Sequence, residues 1–141
     1  MILETAQLLC TAIWISGKEA PYKKTHENHP CSIWARANKE NWIWLRSLGL
    51  ALCKEYTYRY GKVHITEKIL KEMECPNIPD GMFFEPPQAM PDCYKNKKSS
   101  ISAYKNFYLL GKSHLHILKC GKLAWKKREV PKFIQKIMNY I

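Results

Sequence analysis

Apolar residues recur along the first fifteen positions at the three- and four-residue steps of an amphipathic helix. A longer apolar stripe runs through residues 39–60 and stops before Gly61, the residue best suited to the left-handed conformation that closes a helix. We therefore predict one helix at residues 2–15 and a long, buried helix at residues 39–60. In the second helix Trp42 and Leu45 are expected to face the core, and so are Ile33 and Trp34 before it.

Weaker signals predict four further helices. The start of one is marked by His29 and Pro30, because proline is favoured at the first helical position, and the start of another by the capping residue Thr66. The four ranges are residues 30–37, 66–74, 100–110 and 122–138, the last around Pro131. Five of the eight prolines fall between residues 75 and 98, which predicts an irregular wrap there.

These elements predict an all-α protein: a compact, single-domain helical bundle over residues 1–141, with a long proline-rich irregular loop. The 46% hydrophobic content excludes a disordered chain. No apolar run reaches the length of a membrane span. The six cysteines lack paired CxxC spacing and no signal peptide precedes them, so we expect reduced thiols, an intracellular location and a monomer.

The net charge of the chain indicates which kind of partner it favours. The chain carries 23 Lys and Arg against 12 acids, a net charge of +11. Such an excess attracts polyanions, and nucleic acid is the partner that it favours. The alternative is a protein whose composition merely favours lysine, since 19 of the 23 cations are Lys.

Most catalytic signatures are missing from the sequence. The six glycines are isolated, no nucleophile elbow occurs, and two Asp are few for a two-metal nuclease. Two clusters contain metal-ligand residue types, but neither supplies the paired spacing of a structural zinc site. They are His26, His29 and Cys31 in one, and His114, His116 and Cys120 in the other. We expect no metal and no cofactor.

Several motifs carry a resemblance over nearly the whole chain: "MILETAQLL", "YKKTHENHPCSIWAR", "EYTYRYGKVH" and "KREVPKF". They resemble a family of small phage and large-virus proteins that are described as similar to pyrimidine-dimer DNA glycosylases. The resemblance implies an all-helical fold and a combined glycosylase and abasic-site lyase reaction, in a virus-infected host cell. It also implies catalytic roles for Glu4 of "LETAQLL" and for His29 of "NHPCSIW".

In that reaction an amine attacks the sugar C1′ atom, the base leaves, and the strand is cut by elimination from the resulting imine, while a carboxylate moves protons. The characterised glycosylases use the amine of the residue after the initiator Met. Here that residue is Ile2, too large for ordinary Met removal, and Leu3 and Gln7 replace flanking arginines. Lys62 is a candidate replacement for the amine, and a solvated residue past a helix end is its alternative.

The expected partner is duplex DNA. Trp34 or Tyr58 could stack an extruded base. The cations expected to hold phosphates are Lys23, Lys24, Arg36, Arg59, Lys62, Lys112, Lys126, Lys127 and Arg128. Two alternatives remain: a nucleic-acid-binding module without catalysis, and a viral interaction protein that uses residues 75–94 as its contact surface.

Overall fold

The computed structural model describes residues 1–115 and 125–138, and within these ranges it contains helices and no β-strand. The predicted all-α class is confirmed. The α-helices are α1 (Ile2–Ile15), α2 (Pro30–Ala37), α3 (Lys39–Tyr60), α4 (Thr66–Glu72), α5 (Ser100–Asn106) and α6 (Lys132–Met138). A π-helical turn at Phe107–Gly111 and 3-10 turns at Asp92–Tyr94 and Ser113–Leu115 complete the described elements.

The chain divides into two compact units, residues 1–87 and residues 88–141. We call them the N-terminal unit and the C-terminal unit. The first contains α1 to α4, and the second contains α5 and α6. The single domain expected over residues 1–141 remains a prediction.

The N-terminal unit is built around α1, which packs against α2, α3 and α4. Leu9 and Cys10 of α1, Trp42 of α3 and Leu70 of α4 are buried in one apolar cluster. Gly49 of α3 allows the close approach, because a Cβ atom there would lie 3.0 Å from Leu70 Cδ1 and 3.1 Å from Thr5 Cγ2. A side chain at position 49 would therefore push α1 and α4 away from α3.

Local chemistry sets the ends of α2 and α3 as the sequence indicated, but the predicted cap Thr66 is the first helical residue of α4, after an N-cap Ile65 that makes no side-chain cap bond. His29 caps α2 with Pro30 at the first helical position, and Gly61 ends α3 in the left-handed conformation with φ of 64°. Asn38 caps α3 by accepting a hydrogen bond from the Asn41 backbone N–H at 2.9 Å. These signals lie within a few residues of each helix end, so they act whatever the rest of the chain does.

Three predicted ranges need correction. The helix predicted at residues 66–74 ends at Glu72, because Met73 is extended. The helix predicted at residues 100–110 is α-helical only to Asn106 and then widens to a π turn. The helix predicted at residues 122–138 is wrong over residues 125–131, which are not helical. Pro131 starts α6 instead of lying inside it, because proline lacks an N–H and disfavours helix in the preceding residue.

The proline-rich segment contains no helical turn before Asp92. Within the N-terminal unit its residues 79–84 are fastened to α2 and α3. The Lys39 backbone N–H donates to Pro79 O at 2.9 Å, and Asn38 Nδ2 donates to Met82 O at 3.0 Å. Buried Asn41 accepts from the Phe84 N–H at 3.3 Å and donates to Trp34 O at 2.9 Å. These bonds satisfy backbone groups that a strand would otherwise pair.

Candidate nucleic-acid interface

The stretch that joins α1 to α2 is fastened along α1 at two points. Trp14 Nε1 donates to Tyr22 O at 2.8 Å. One turn nearer the start of α1, Thr11 Oγ1 lies 2.9 Å from Thr25 O and accepts from the Thr25 N–H at 3.1 Å. Residues 22–25 therefore run antiparallel to α1, toward the half of that helix that carries Glu4.

Glu4 lies in the first turn of α1 and is 74% exposed, with Oε2 3.2 Å from the Met1 amino nitrogen. It precedes Thr11 by seven residues, so the two side chains share one face of the helix, two turns apart. Thr11 is the residue that holds the stretch leading to His29. His29 follows this stretch as the residue that begins α2.

The His29 imidazole is exposed and has a structural task. Its Nδ1 accepts a hydrogen bond from the Cys31 backbone N–H at 3.1 Å and so caps α2. When Nδ1 is an acceptor, the proton of the neutral ring lies on Nε2. The ring can therefore cap α2 and still offer a proton to a ligand.

Two of the predicted cations near this stretch are engaged by Glu27, Lys24 through its carboxylate and Arg36 through its backbone carbonyl. Lys24 Nζ lies 2.8 Å from Glu27 Oε2, and Arg36 Nη1 donates to Glu27 O at 2.8 Å and to Ser32 Oγ at 3.1 Å. The hydrogen bond and the charge of Lys24, with a smaller effect of Arg36, hold the pKa of Glu27 below its ordinary value. Lys23 is exposed and, among the residues that the structure describes, belongs to no ion pair.

The far end of α3 carries a second group of predicted contacts. Arg59 Nε lies 2.7 Å from Oε1 of Glu55, one helical turn earlier, so the arginine is already paired with a carboxylate. Lys62 is exposed just past Gly61, as a phosphate contact would be. The burial that activates a lysine amine is not provided at this position. Tyr58 is 49% exposed, so its ring has a face open to a base.

The remaining predicted cations belong to the C-terminal unit. Lys112 Nζ lies 5.4 Å from the centroid of the Phe107 ring, within cation–π range. Lys126, Lys127 and Arg128 are exposed in a bend in which Lys127 has a positive φ of 56°. The nine predicted phosphate contacts are therefore divided between the two units.

Two aromatic and apolar assignments made from sequence are wrong. Trp34 is only 4% exposed, and its ring contacts Trp44 and Phe83 edge-on at 5.7 Å and 6.1 Å, so it cannot stack an extruded base. Ile33, expected to face the core, is 49% exposed. In contrast, Trp42 and Leu45 are buried as predicted. Adjacent helical residues point about 100° apart, so Ile33 cannot share the buried face of Trp34.

Metal chemistry finds no support in the described ranges. No group of three His, Cys, Asp or Glu side chains within residues 1–115 and 125–138 could hold a metal ion, which includes His26, His29 and Cys31. His116 and Cys120 lie outside the described residues, so the second cluster is not tested. Burial raises the pKa of the thiols of Cys10, Cys53 and Cys75, which makes them poor nucleophiles and poor metal ligands.

A cleft of about 390 Å³ in the N-terminal unit has the wrong charge for phosphate. Three glutamates and one lysine lie on its walls. Its lining residues are Ile13, Lys18, Glu19, Pro21, Ile69, Glu72, Met73, Glu74, Cys75 and Pro76. Sequence reasoning also missed the exposure of Met82, Phe83 and Phe84. Three consecutive apolar residues inside a proline-rich segment were the available signal.

Fold and surface together define a mainly helical protein with exposed cations, in which Glu4 and His29 are each exposed. None of the helices that the structure describes is long and apolar enough to cross a membrane. No family model, curated protein or solved structure matches the chain.

Proposed function

We propose that the protein binds duplex DNA in the infected cell and acts on a damaged or modified base by glycosylase and abasic-site lyase chemistry. The observation that carries the proposal is the exposure of Glu4 in the first turn of α1 and of His29 at the start of α2, two helices that pack against each other. Both side chains are open to a ligand as large as a duplex. The net charge of +11 supplies the attraction to phosphate.

Each group has a role in this chemistry. A carboxylate at Glu4 stabilises positive charge that develops on the sugar and accepts a proton from the attacking amine. The Nε2 proton of His29 is available to the departing base. Lys62 remains the candidate amine, and its exposed position at the end of α3 also fits a phosphate contact. Conversion to arginine separates these two roles, because arginine keeps the charge and cannot form the imine.

The first experiment incubates the purified chain with ultraviolet-irradiated, abasic and undamaged duplexes in the presence of borohydride and EDTA. A covalent adduct with damaged or abasic duplex supports the reaction, and mass spectrometry of the adduct identifies the amine. Binding without nicking or trapping rejects the catalytic proposal and leaves a nucleic-acid-binding module. If nicking occurs without EDTA and is lost when EDTA is added, the metal-free mechanism is contradicted.

Variants then separate catalysis from folding. We expect Glu4→Gln and His29→Asn to lower nicking at least tenfold, since general acid–base groups contribute roughly that much or more. Asparagine keeps a side-chain acceptor at the cap of α2, which alanine would remove at a cost of about 0.5–2 kcal/mol. Lys62→Arg abolishes trapping only if Lys62 is the nucleophile. Glu19→Gln, at another exposed acid of the same unit, is the matched control.

One observation favours a second candidate function, binding of a protein partner through the proline-rich segment. Met82, Phe83 and Phe84 are exposed, and the Phe83 ring lies 5.5 Å from half-exposed Trp44. Such an apolar group on a surface is typical of interaction sites. If this function is correct, the double variant Met82→Ser, Phe84→Ser loses a partner that the wild type retains, with DNA binding unchanged. Retention of the same proteins by both chains rejects it.

A further inference from the structure

The two units differ sharply in charge. Residues 88–141 contain 12 Lys and Arg and 2 acids, whereas residues 1–87 contain 11 Lys and Arg and 10 acids. Nearly the whole net charge of +11 therefore comes from the C-terminal unit.

In the N-terminal unit the cations are largely matched by local carboxylates. The ion pairs there are Lys24–Glu27, Lys39–Asp80, Arg59–Glu55, Lys68–Glu72 and Lys71–Glu67. Arg46 is also engaged, since its guanidinium donates to the Leu70 and Lys71 carbonyls at 2.8 Å. A phosphate would have to compete with these partners for most of the positive charge of this unit.

The C-terminal unit cannot balance its charge in this way, because two carboxylates cannot neutralise twelve cations. One of the two, Asp92, already lies 2.7 Å from Lys95 Nζ. Ten cations in the described part of the unit are exposed. They are Lys95, Lys97, Lys98, Lys105, Lys112, Lys126, Lys127, Arg128, Lys132 and Lys136.

Aromatic rings lie among these cations. Lys105 Nζ of α5 lies 5.4 Å from the Phe133 ring of α6, and Lys112 lies at the same distance from Phe107, which itself contacts Tyr94 at 5.1 Å. The rings lie against two of the lysines within the unit. Lysines interleaved with rings are typical of surfaces that follow a nucleic-acid backbone.

We infer that the described part of the C-terminal unit, residues 88–115 and 125–138, forms the phosphate-binding surface of the protein, and that the phosphates belong to nucleic acid. This inference rests on the proposed DNA-binding function and locates its electrostatic part. An anionic membrane is the competing polyanion. Nucleic acid is favoured over it because aromatic rings lie among the cations, as they do in surfaces that bind a nucleic-acid strand.

The test measures duplex affinity of the full chain against salt concentration. The triple variant Lys97→Gln, Lys98→Gln, Lys132→Gln removes three charges from the C-terminal unit. The matched variant Lys18→Gln, Lys54→Gln, Lys68→Gln removes three from the N-terminal unit. Because each phosphate contact contributes about 0.9 to the slope of log affinity against log salt, we expect the first triple to reduce the slope by about 2–3. The second triple should change it by less than about 0.5.

Circular dichroism of both variants confirms that surface lysines were replaced without unfolding. Equal changes of slope in the two triples overturn the inference and leave DNA binding intact. Absence of duplex binding by the wild type at any salt rejects the proposed function itself. Equal or tighter binding to phosphatidylserine vesicles than to duplex, lost in the first triple, would show that the unit binds an anionic membrane instead.

Discussion

The N-terminal unit, residues 1–87, and the C-terminal unit, residues 88–141, differ in their buried apolar residues and in their charge. The first region buries a contiguous apolar cluster contributed by α1, α2, α3 and α4 and balances its charges within itself. In the described part of the second region, Ala103 and Ile134 are the buried apolar residues, and the acids are few. The first region therefore has the composition of a scaffold, and the second has that of a charged binding surface.

The difference has a consequence for stability. A net charge far from zero repels itself and weakens the compact state, and a small apolar core offsets little of that repulsion. The C-terminal unit should be the less stable of the two in the absence of a polyanion. Glu4 and His29, the groups of the proposed reaction, both belong to the N-terminal unit, whose buried cluster supplies the rigid elements that a site requires.

The largest effect should come from emptying the core of the N-terminal unit. Trp42 is 1% exposed, and its Nε1 donates to Leu9 O at 3.4 Å. We expect Trp42→Ala to lower the free energy of unfolding by about 3–5 kcal/mol, and Leu45→Ala by about 2–5 kcal/mol. Urea denaturation measures both. Ile65→Ala, at a position 87% exposed, is the control and should cost less than about 0.5 kcal/mol. A loss below about 1 kcal/mol for Trp42→Ala would contradict the scaffold assignment.

A smaller loss is expected when the polar link to the proline-rich segment is removed. Asn41 is fully buried and bonds both Trp34 O and the Phe84 N–H. Asn41→Ala leaves these backbone groups without their partner, which should cost about 1–3 kcal/mol. Hydrogen exchange at the Phe84 amide should accelerate more than at amides of α1. Asn77→Ala, at an exposed position, is the control. Equal stability of the two variants would show that the hydrogen bonds of Asn41 do not stabilise the fold.

The sequence predicted the helix bounds whose signals lie within a few residues of the helix, and it missed the others. The bounds predicted for α1, α2 and α3 match the structure, because a periodic stripe and a cap define each one. The end of the α4 prediction failed at Met73, where the chain turns extended before Cys75 and Pro76. No local pattern distinguishes a last helical residue from the first extended one when both are apolar or charged.

The candidate site shows the same division. The choice of Glu4 and His29 came from the resemblance, and their exposure is a finding of the structure. The fastening of residues 22–25 along α1 was not predicted, because it depends on hydrogen bonds from Thr11 and Trp14 to backbone atoms 14 and 8 residues away. The engagement of Lys24, Arg36 and Arg59 by nearby oxygens was equally invisible. A lysine count gives the net charge, and only the folded chain shows which cations are already neutralised.

Added salt should slow hydrogen exchange modestly in the C-terminal unit and change it little in the N-terminal unit. Ions screen the repulsion among the cations of the C-terminal unit over a Debye length of about 10 Å at 0.1 M. Raising the salt from about 0.01 M to 0.3 M should therefore slow hydrogen exchange of the α5 amides by about twofold. Amides of α1, in the balanced unit, should change little. An equal response in α1 and α5 would remove the electrostatic contrast between the units.

The smallest and most local effect concerns one carboxylate in each unit. The hydrogen bond and charge of Lys24 lower the pKa of Glu27 below 4.5, and those of Lys95 lower the pKa of Asp92 below 3.8. A lowered pKa means that each pair contributes to stability above the ordinary value, and the contribution is lost as the pH falls through the lowered one. Titration followed by carboxyl NMR chemical shifts gives both midpoints.

Lys24→Met should raise the midpoint of Glu27 and leave that of Asp92 unchanged, and Lys95→Met should do the reverse. Salt then distinguishes the surroundings of the two groups. Asp92 lies in a unit with ten further unbalanced charges, whereas Glu27 lies in a unit whose acids and bases nearly cancel. Added salt should therefore raise the pKa of Asp92 more than that of Glu27, because only Asp92 loses a long-range attraction as well as its local one. Equal shifts would mean that the excess charge of the C-terminal unit is not felt at Asp92.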